Sequence, residues 1–234
     1  MFAVTYNNTT DAEIGCHAKS RPSIPAPARK VNVISIAGRD GAYFDQEDTV
    51  SDIVIPVTFS FRKVNKNLWN TMYRNLKAWL LTSEDRNILS FSDDPGFHYR
   101  VKNVQITSTE RIMWTIGEVT ASFTCDGYTY LDSGDDAVNL TATLQNDHAM
   151  CMPIYGLIGN GAFTLTVNGN TMTGTCSSNL TIDTERMLAL QSGATWFNTT
   201  VAGDYQELWL QPGQNTLSIT SGFTCRIRPQ WRCL

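Results

Sequence analysis

The hydrophobic pattern changes period between Val31 and Leu81, and each change predicts a different element. Val31 to Ile36 is β-branched and apolar and ends in Gly38-Arg39-Asp40-Gly41, a turn signal. A short acidic loop is expected next. Ser51 to Phe61 then alternates, with Ile53, Ile55, Val57, Phe59 and Phe61 on one face. Pro56 falls on the polar side, which places this strand near a sheet edge. From Lys66 to Leu81 the period becomes helical, and Leu68, Trp69, Met72, Tyr73, Leu76, Trp79 and Leu80 form one stripe. The spacing predicts an amphipathic helix over 66–81, a single helix in a β-rich chain.

Strands resume beyond the helix. Ile88 to Ser92 reads as a short buried strand, Asp93-Asp94-Pro95-Gly96 as a turn, and Phe97 to Ile106 as another strand. Arg111 to Cys125 shifts phase. Ile112, Trp114 and Ile116 share one parity and Val119, Ala121, Phe123 and Cys125 the other. A β-bulge or bend at Gly117 is expected, with Trp114 in the core. Upstream, Arg21 to Lys30 is proline-rich and suits an arm or an edge segment.

The turn-rich Leu131-Asp132-Ser133-Gly134-Asp135-Asp136-Ala137 predicts a boundary, giving domains 1–133 and 134–234. Composition shifts there too. Lysine is absent after Lys102, and the formal charge divides as −1 and −3. The second part shows short strands and turns. Phe163, Leu165 and Val167 alternate before Asn168-Gly169, a hairpin turn of the primed type. Leu180 and Ile182 alternate before Asp183, and Gln211 to Asn215 is a turn leading into Leu217, Ile219, Phe223 and Ile227. This pattern predicts a β-sandwich. The fold class is therefore mainly β, an N-terminal β domain with one helix followed by a sandwich.

The 234 residues carry 18 basic and 22 acidic side chains, a formal charge of −4. That balance argues against gripping nucleic acid through a broad basic surface, though not against a channel through which DNA slides. No stretch approaches the roughly 20 apolar residues of a membrane helix, so no membrane insertion is expected. The N-terminal residues lack the charged and apolar regions of a signal peptide, which predicts folding in a cytosol. Asn-x-Ser/Thr triplets begin at Asn7, Asn8, Asn139, Asn179 and Asn198 and are read as a consequence of an Asn- and Thr-rich composition. The six cysteines form no Cys-x-x-Cys pair and are expected as buried thiols, a late disulfide being the alternative.

Chemistry is sparse. His17, His98 and His148 are far apart, and no nucleophile elbow, HExxH, phosphate loop or dinucleotide fingerprint occurs. Asp93-Asp94 reads as a solvated turn. Asp132 to Asp136 lacks the alternating ligands and terminal Glu of a calcium loop. No catalytic, cofactor or metal residue is expected, and the chain is not expected to be an enzyme. The Gly38-Arg39-Asp40-Gly41 turn has two readings. It is a tight turn, or an exposed Arg39–Asp40 pair at a subunit contact. Trp69, Trp79 and Trp114 are expected in the core. Trp196 and Trp209 fit a sandwich core or an exposed sugar-stacking face, and Trp231 also falls in the sandwich.

Several motifs in order resemble the distal tail protein family of long-tailed, non-contractile bacteriophages and related prophages. They are the Pro-rich arm, Ile36-Ala37-Gly38-Arg39-Asp40-Gly41, the alternating strand, the helix ending Ala78-Trp79-Leu80, and Ile88 to Pro95 with Tyr99. Pro153-Ile154-Tyr155-Gly156, Val167-Asn168-Gly169, Ile182-Asp183, Leu210 to Asn215 and Arg228 to Arg232 continue the match. The chain departs from the pattern at Gln230, where Arg is expected beside Trp231. Gly156 and Gly159 are expected to interrupt the strand at Ile154.

The resemblance implies a galectin-like second domain and a ring-forming hub, commonly six-fold, that links the tail tube to the tip. Implied partners are further copies of the chain, the tail tube protein, and tail-tip, tape-measure or receptor-binding proteins, with DNA only passing through the channel. The implied location is the virion tail tip, after synthesis in the host bacterial cytoplasm. Subunit-contact candidates are Arg39, Asp40, Pro25 and Pro27. The alternative is a carbohydrate-binding module acting in host-surface adsorption, with Trp196 or Trp209 stacking on sugar. A sugar hydrolase would need two carboxylates across a cleft, and nothing in the sequence places them.

Overall fold

The computed structural model describes residues 2–234 except 39, 64, 66, 67, 84, 85, 192–194 and 197; the side chains at 46, 48, 195, 196 and 199 are also outside the description. The chain forms two compact units, Met1–Thr129 with Leu234, and Tyr130–Cys233.

The first unit contains β1 (Val4–Tyr6), β2 (Thr9–Thr10), α1 (Asp11–Ile14), β3 (His17–Ala18), β4 (Arg29–Ser35), β5 (Ala42–Val50), β6 (Ile53–Arg62), α2 (Trp69–Leu81), β7 (Asn87–Phe91), β8 (Phe97–Glu110) and most of β9 (Ile116–Leu131). Its main sheet runs β2-β1-β7-β8-β9-β6-β3. The alternation in β6 is realised as expected, with Ile53, Ile55, Val57, Phe59 and Phe61 all buried. These side chains meet Val119, Ala121, Phe123 and Cys125 of β9. Pro56 faces Ser122 of β9, while on the other side β3 pairs only with Phe59 and Ser60. The missing proline N–H therefore falls beyond the last paired residue of β3, where a central strand would have needed it.

Helix α2 lays Trp69, Met72, Leu76, Trp79 and Leu80 on this core. The predicted start at Lys66 and Asn67 lies outside the described residues, and Leu68 stands before the helix half exposed. The helix ends at Thr82, whose amide donates to Ala78. A second, four-residue helix, α1, comes in addition to the expected one. Thr10 and Glu13 form a capping box at its start, and Gly15 ends it at φ +86°.

Two expectations for β9 are corrected. The β6–β9 register runs unbroken from Ile53–Cys125 to Arg62–Ile116, so there is no bulge at Gly117. Glycine is needed there for another reason. A Cβ would lie 2.4 Å from Phe61 Cζ and 2.6 Å from Trp69 Nε1, so the residue admits two rings. Ile112 and Trp114 are not core either; they sit in the β8–β9 turn, with Trp114 73% exposed. The parity change marks the start of the strand, not a break within it.

The second unit is a sandwich. One sheet runs β10 (Val138–Asn139), β20 (Thr224–Arg228), β12 (Ile154–Ile158), β15 (Asn179–Asp183), β16 (Leu188–Gln191), β17 (Thr195–Trp196). The other runs β11 (Thr143–Asn146), β19 (Gly213–Ile219), β13 (Gly161–Val167), β14 (Asn170–Cys176), β18 (Val201–Ala202). Tyr155, Leu157, Leu180, Ile182 and Ile227 from the first sheet pack with Phe163, Leu165, Val167, Met172 and Leu217 from the second. Asn168 and Gly169 have φ +52° and +89°, as a primed turn requires. The buried Asn215 amide donates to the Gln211 and Gly213 carbonyls and its Oδ1 accepts from Gln211 N, which fixes the turn. Gly156 does not interrupt its strand; β12 pairs on both sides through it.

Gln230, the departure beside Trp231, is buried at φ +59°. Its amide donates to Gly134 O and its side chain to Asp135 Oδ1. Gln230 thereby ties the C-terminal residues to Gly134 and Asp135 at the start of the sandwich. All six cysteines are free and five are buried. Burial pushes the thiols of Cys16, Cys125 and Cys225 up to about 12.

Candidate assembly interface

The feature that stands out is a hairpin. Among the described residues β4 and β5 pair only with each other, with Val33 opposite Phe44 and Ile34 opposite Tyr43. The expected acidic loop is part of β5, because the backbone of Asp45 and Gln46 pairs with Asn32 and Val31. Val33 is 59% exposed, Phe44 61%, Ile34 47% and Tyr43 49%. Successive residues of a strand face opposite sides. Val33 and Phe44 therefore form an apolar pair on one face, and Ile34 and Tyr43 on the other. A lone two-stranded ribbon is marginally stable in water, and an exposed apolar patch of this kind marks an interaction surface.

The turn between these strands carries the predicted Gly38-Arg39-Asp40-Gly41. Gly38 and Gly41 both have φ near +80°, which a side chain would strain. Asp40 is exposed at the tip, and Arg39 lies outside the described residues. The Pro-rich segment follows its own unit as an edge piece. Ile24 packs on the core, Ser51 N donates to Ala28 O at 2.8 Å, and Arg21 pairs with Asp93 at 3.0 Å. Pro27 is half-buried against Gly127, and Pro25 is exposed. A second apolar surface is the β8–β9 turn, where Ile112, Met113 and Trp114 are exposed. The Arg111 guanidinium lies 5.3 Å from the Trp69 ring and 5.5 Å from the Trp114 ring, bracing the turn against α2.

A family model for the phage tail protein RIFT-related domain matches residues 8–125, the stretch that carries the hairpin, α2 and most of the main sheet. The chain belongs to this family of phage tail proteins. Among solved structures, the chain is similar to the Dit protein (gp 19.1) of phage SPP1, described as a paradigm of the hub adsorption apparatus in phages infecting Gram-positive bacteria. The TM-score is 0.66 at 14% identity, and the match covers 100% of both chains. It is also similar to a chain of the phage P2 baseplate in its activated conformation with Ca, with TM-score 0.55, 9% identity, and coverage of 100% and 98%. At these identities the likeness shows a shared fold across the whole chain. No curated protein matches the sequence.

Outside the RIFT-related domain, the sugar-stacking candidates part company. Trp209 is half-buried, and its indole N–H points to Thr184 O at 3.4 Å. Trp196 lies in β17 with its backbone opposite Leu190, and its side chain is outside the description. Among the described residues, no three His, Cys, Asp or Glu side chains converge on a point. No described helix is long and apolar enough to cross a membrane. Sequence reading passed over the exposed hairpin because an apolar strand is ordinarily a buried one.

Proposed function

We propose that this phage tail protein is a distal tail hub, a ring-forming, non-enzymatic adaptor that joins the tail tube to the tip apparatus. The observation that carries this reading is the β4–β5 hairpin, whose described apolar side chains Val33, Ile34, Tyr43 and Phe44 are exposed on both faces. A ribbon that leaves one copy and lies on the next makes a heterologous contact, and a heterologous contact with the right rotation closes into a ring. Six copies are the number the family resemblance suggests. Asp40 at the ribbon tip, Arg39 next to it in the sequence, and Pro25 and Pro27 of the Pro-rich segment are the proposed subunit contacts.

A ring with a net acidic chain would let DNA pass through its channel without gripping it. The partners are then the tube protein on one side and tip, tape-measure or receptor-binding proteins on the other, in the virion tail, after synthesis in the host cytoplasm. Domain 1–133 supplies the ring, and domain 134–234 is free for other contacts. Light scattering and negative-stain electron microscopy of the purified protein, alone and mixed with its tube protein, test this. Closed rings are expected, and a uniform monomer under both conditions overturns it.

A further inference from the structure

Gly156 has no internal reason to be glycine. Of the fifteen described glycines, every other one either has positive φ or stands where a Cβ would collide with its own protein. At Gly156 the nearest atom to a Cβ is Arg226 O at 3.7 Å, an ordinary contact, and φ is not positive. The residue is in the middle of a six-stranded sheet, where glycine weakens the strand. A strand glycine often marks a bulge, a bend, or a place where a ligand or another backbone comes close, and the unbroken pairing through Gly156 rules out the bulge.

The surroundings say what approaches. Gly156 is opposite Arg226 on one side and Thr181 on the other, and Ile154 is opposite Arg228. These residues share the sheet face away from the core and line a groove of about 280 Å³. That is near the small end of ligand sites, about 300 to 1,000 Å³. Both guanidiniums are exposed, and among the described residues neither pairs with a carboxylate. Arg226 Nε only points to Asn139 Oδ1 at 3.4 Å. The one carboxylate in these rows, Asp183, is buried and turned to the amides of Glu185 and Arg186. In a chain of charge −4, the groove is a local positive site.

We infer that this face binds an acidic saccharide, with the sugar ring lying on Gly156 and its carboxylate or phosphate between Arg226 and Arg228. Two guanidinium forks suit a planar or tetrahedral anion. A flat floor without a Cβ suits a ring, and Thr181 supplies a hydroxyl for ring oxygens. The site is independent of the ring proposal, since every residue in it belongs to the sandwich. It uses neither Trp196 nor Trp209.

The test is a calorimetric titration of the full-length protein at low salt with trigalacturonate, glucose 6-phosphate, inorganic phosphate and neutral maltotriose. Trigalacturonate or glucose 6-phosphate is expected to bind, and which of them binds identifies the anion; maltotriose is expected to stay silent. Arg226→Ala and Arg228→Ala should each weaken binding about tenfold or more. Gly156→Val should abolish it with the melting temperature preserved. Silence with both acidic sugars overturns the inference. So does inorganic phosphate matching the sugar phosphate, equal binding of maltotriose, or undiminished binding in the two arginine variants, which are surface changes that leave the fold intact.

Discussion

The indole N–H of Trp79 donates to the carbonyl of Tyr6 at 3.1 Å, joining the last turn of α2 to the first strand of the sheet. The same ring meets Phe59 edge-on, with centroids 5.4 Å apart. One side chain therefore links helix, N-terminal strand and β6. Trp79→Ala should cost about 3 to 5 kcal/mol, the range for deleting a buried large aromatic. Lys77, on the outer side of the helix with its ammonium 4.8 Å from the Tyr73 ring, should lose less than about 1 kcal/mol on change to Ala. Urea denaturation of the two variants measures this. Equal losses would contradict the buried face of α2.

Two glycines should respond in opposite directions. At Gly117 a new methyl would run into Phe61 and Trp69, so Gly117→Ala should destabilise by about 1 to 3 kcal/mol or more, the cost of overpacking. At Gly156 the methyl meets nothing closer than 3.7 Å, and fewer unfolded conformations are left to lose. Gly156→Ala should therefore be neutral or stabilising by up to about 1 kcal/mol. Melting temperatures of the pair, measured under one condition, decide the matter.

Much of the fold was legible because period is a local property. Ile53 to Phe61 and the α2 stripe each declare a buried face within a dozen residues, and Asn168-Gly169 declares its turn in two. What escaped depends on partners distant in sequence. The acidic run around Asp45 is a strand only because β4 offers it a ladder. Trp114 alternates like a core residue, yet it stands in a turn, and parity cannot distinguish the two. The candidate surfaces were less legible still. An apolar hairpin looks the same in sequence whether covered or bare. The groove depends on Gly156 and Arg226, seventy residues apart and brought side by side only by the β12–β20 pairing.

The thiols set an alkaline limit. Burial holds Cys16, Cys125 and Cys225 at about 12, against 9.0 for a free thiol. A group whose folded pKa is raised contributes its full share of stability below the unfolded value. That share is lost as pH rises toward the folded one. Stability should thus hold up to about pH 9 and fall between 9 and 12. Urea midpoints at pH 8, 9.5 and 10.5 should decline in that order. At pH 8, Ellman's reagent should find Cys233 fast and the five buried thiols slow until denaturant is added.

The hairpin offers the sharpest test of assembly. Its apolar side chains are exposed in the single chain, so replacing them costs the isolated fold little. Covering each in a subunit contact would contribute about 1.5 to 3 kcal/mol per large side chain, repeated at every interface of a ring. Val33→Ser with Phe44→Ser should therefore prevent ring formation while leaving the melting temperature of the monomer nearly unchanged. Ile34→Ser with Tyr43→Ser, on the opposite face, separates the roles of the two faces. If only one double variant loses the ring, the other face is left for a different partner, and its variant should fail in binding the tube protein. Lys30→Ser, polar and on the same ribbon, is the control and should assemble normally. Light scattering gives the mass and electron microscopy the closure. Rings that survive substitution of all four residues would remove the hairpin from the contact and, with it, the observation on which the hub reading stands.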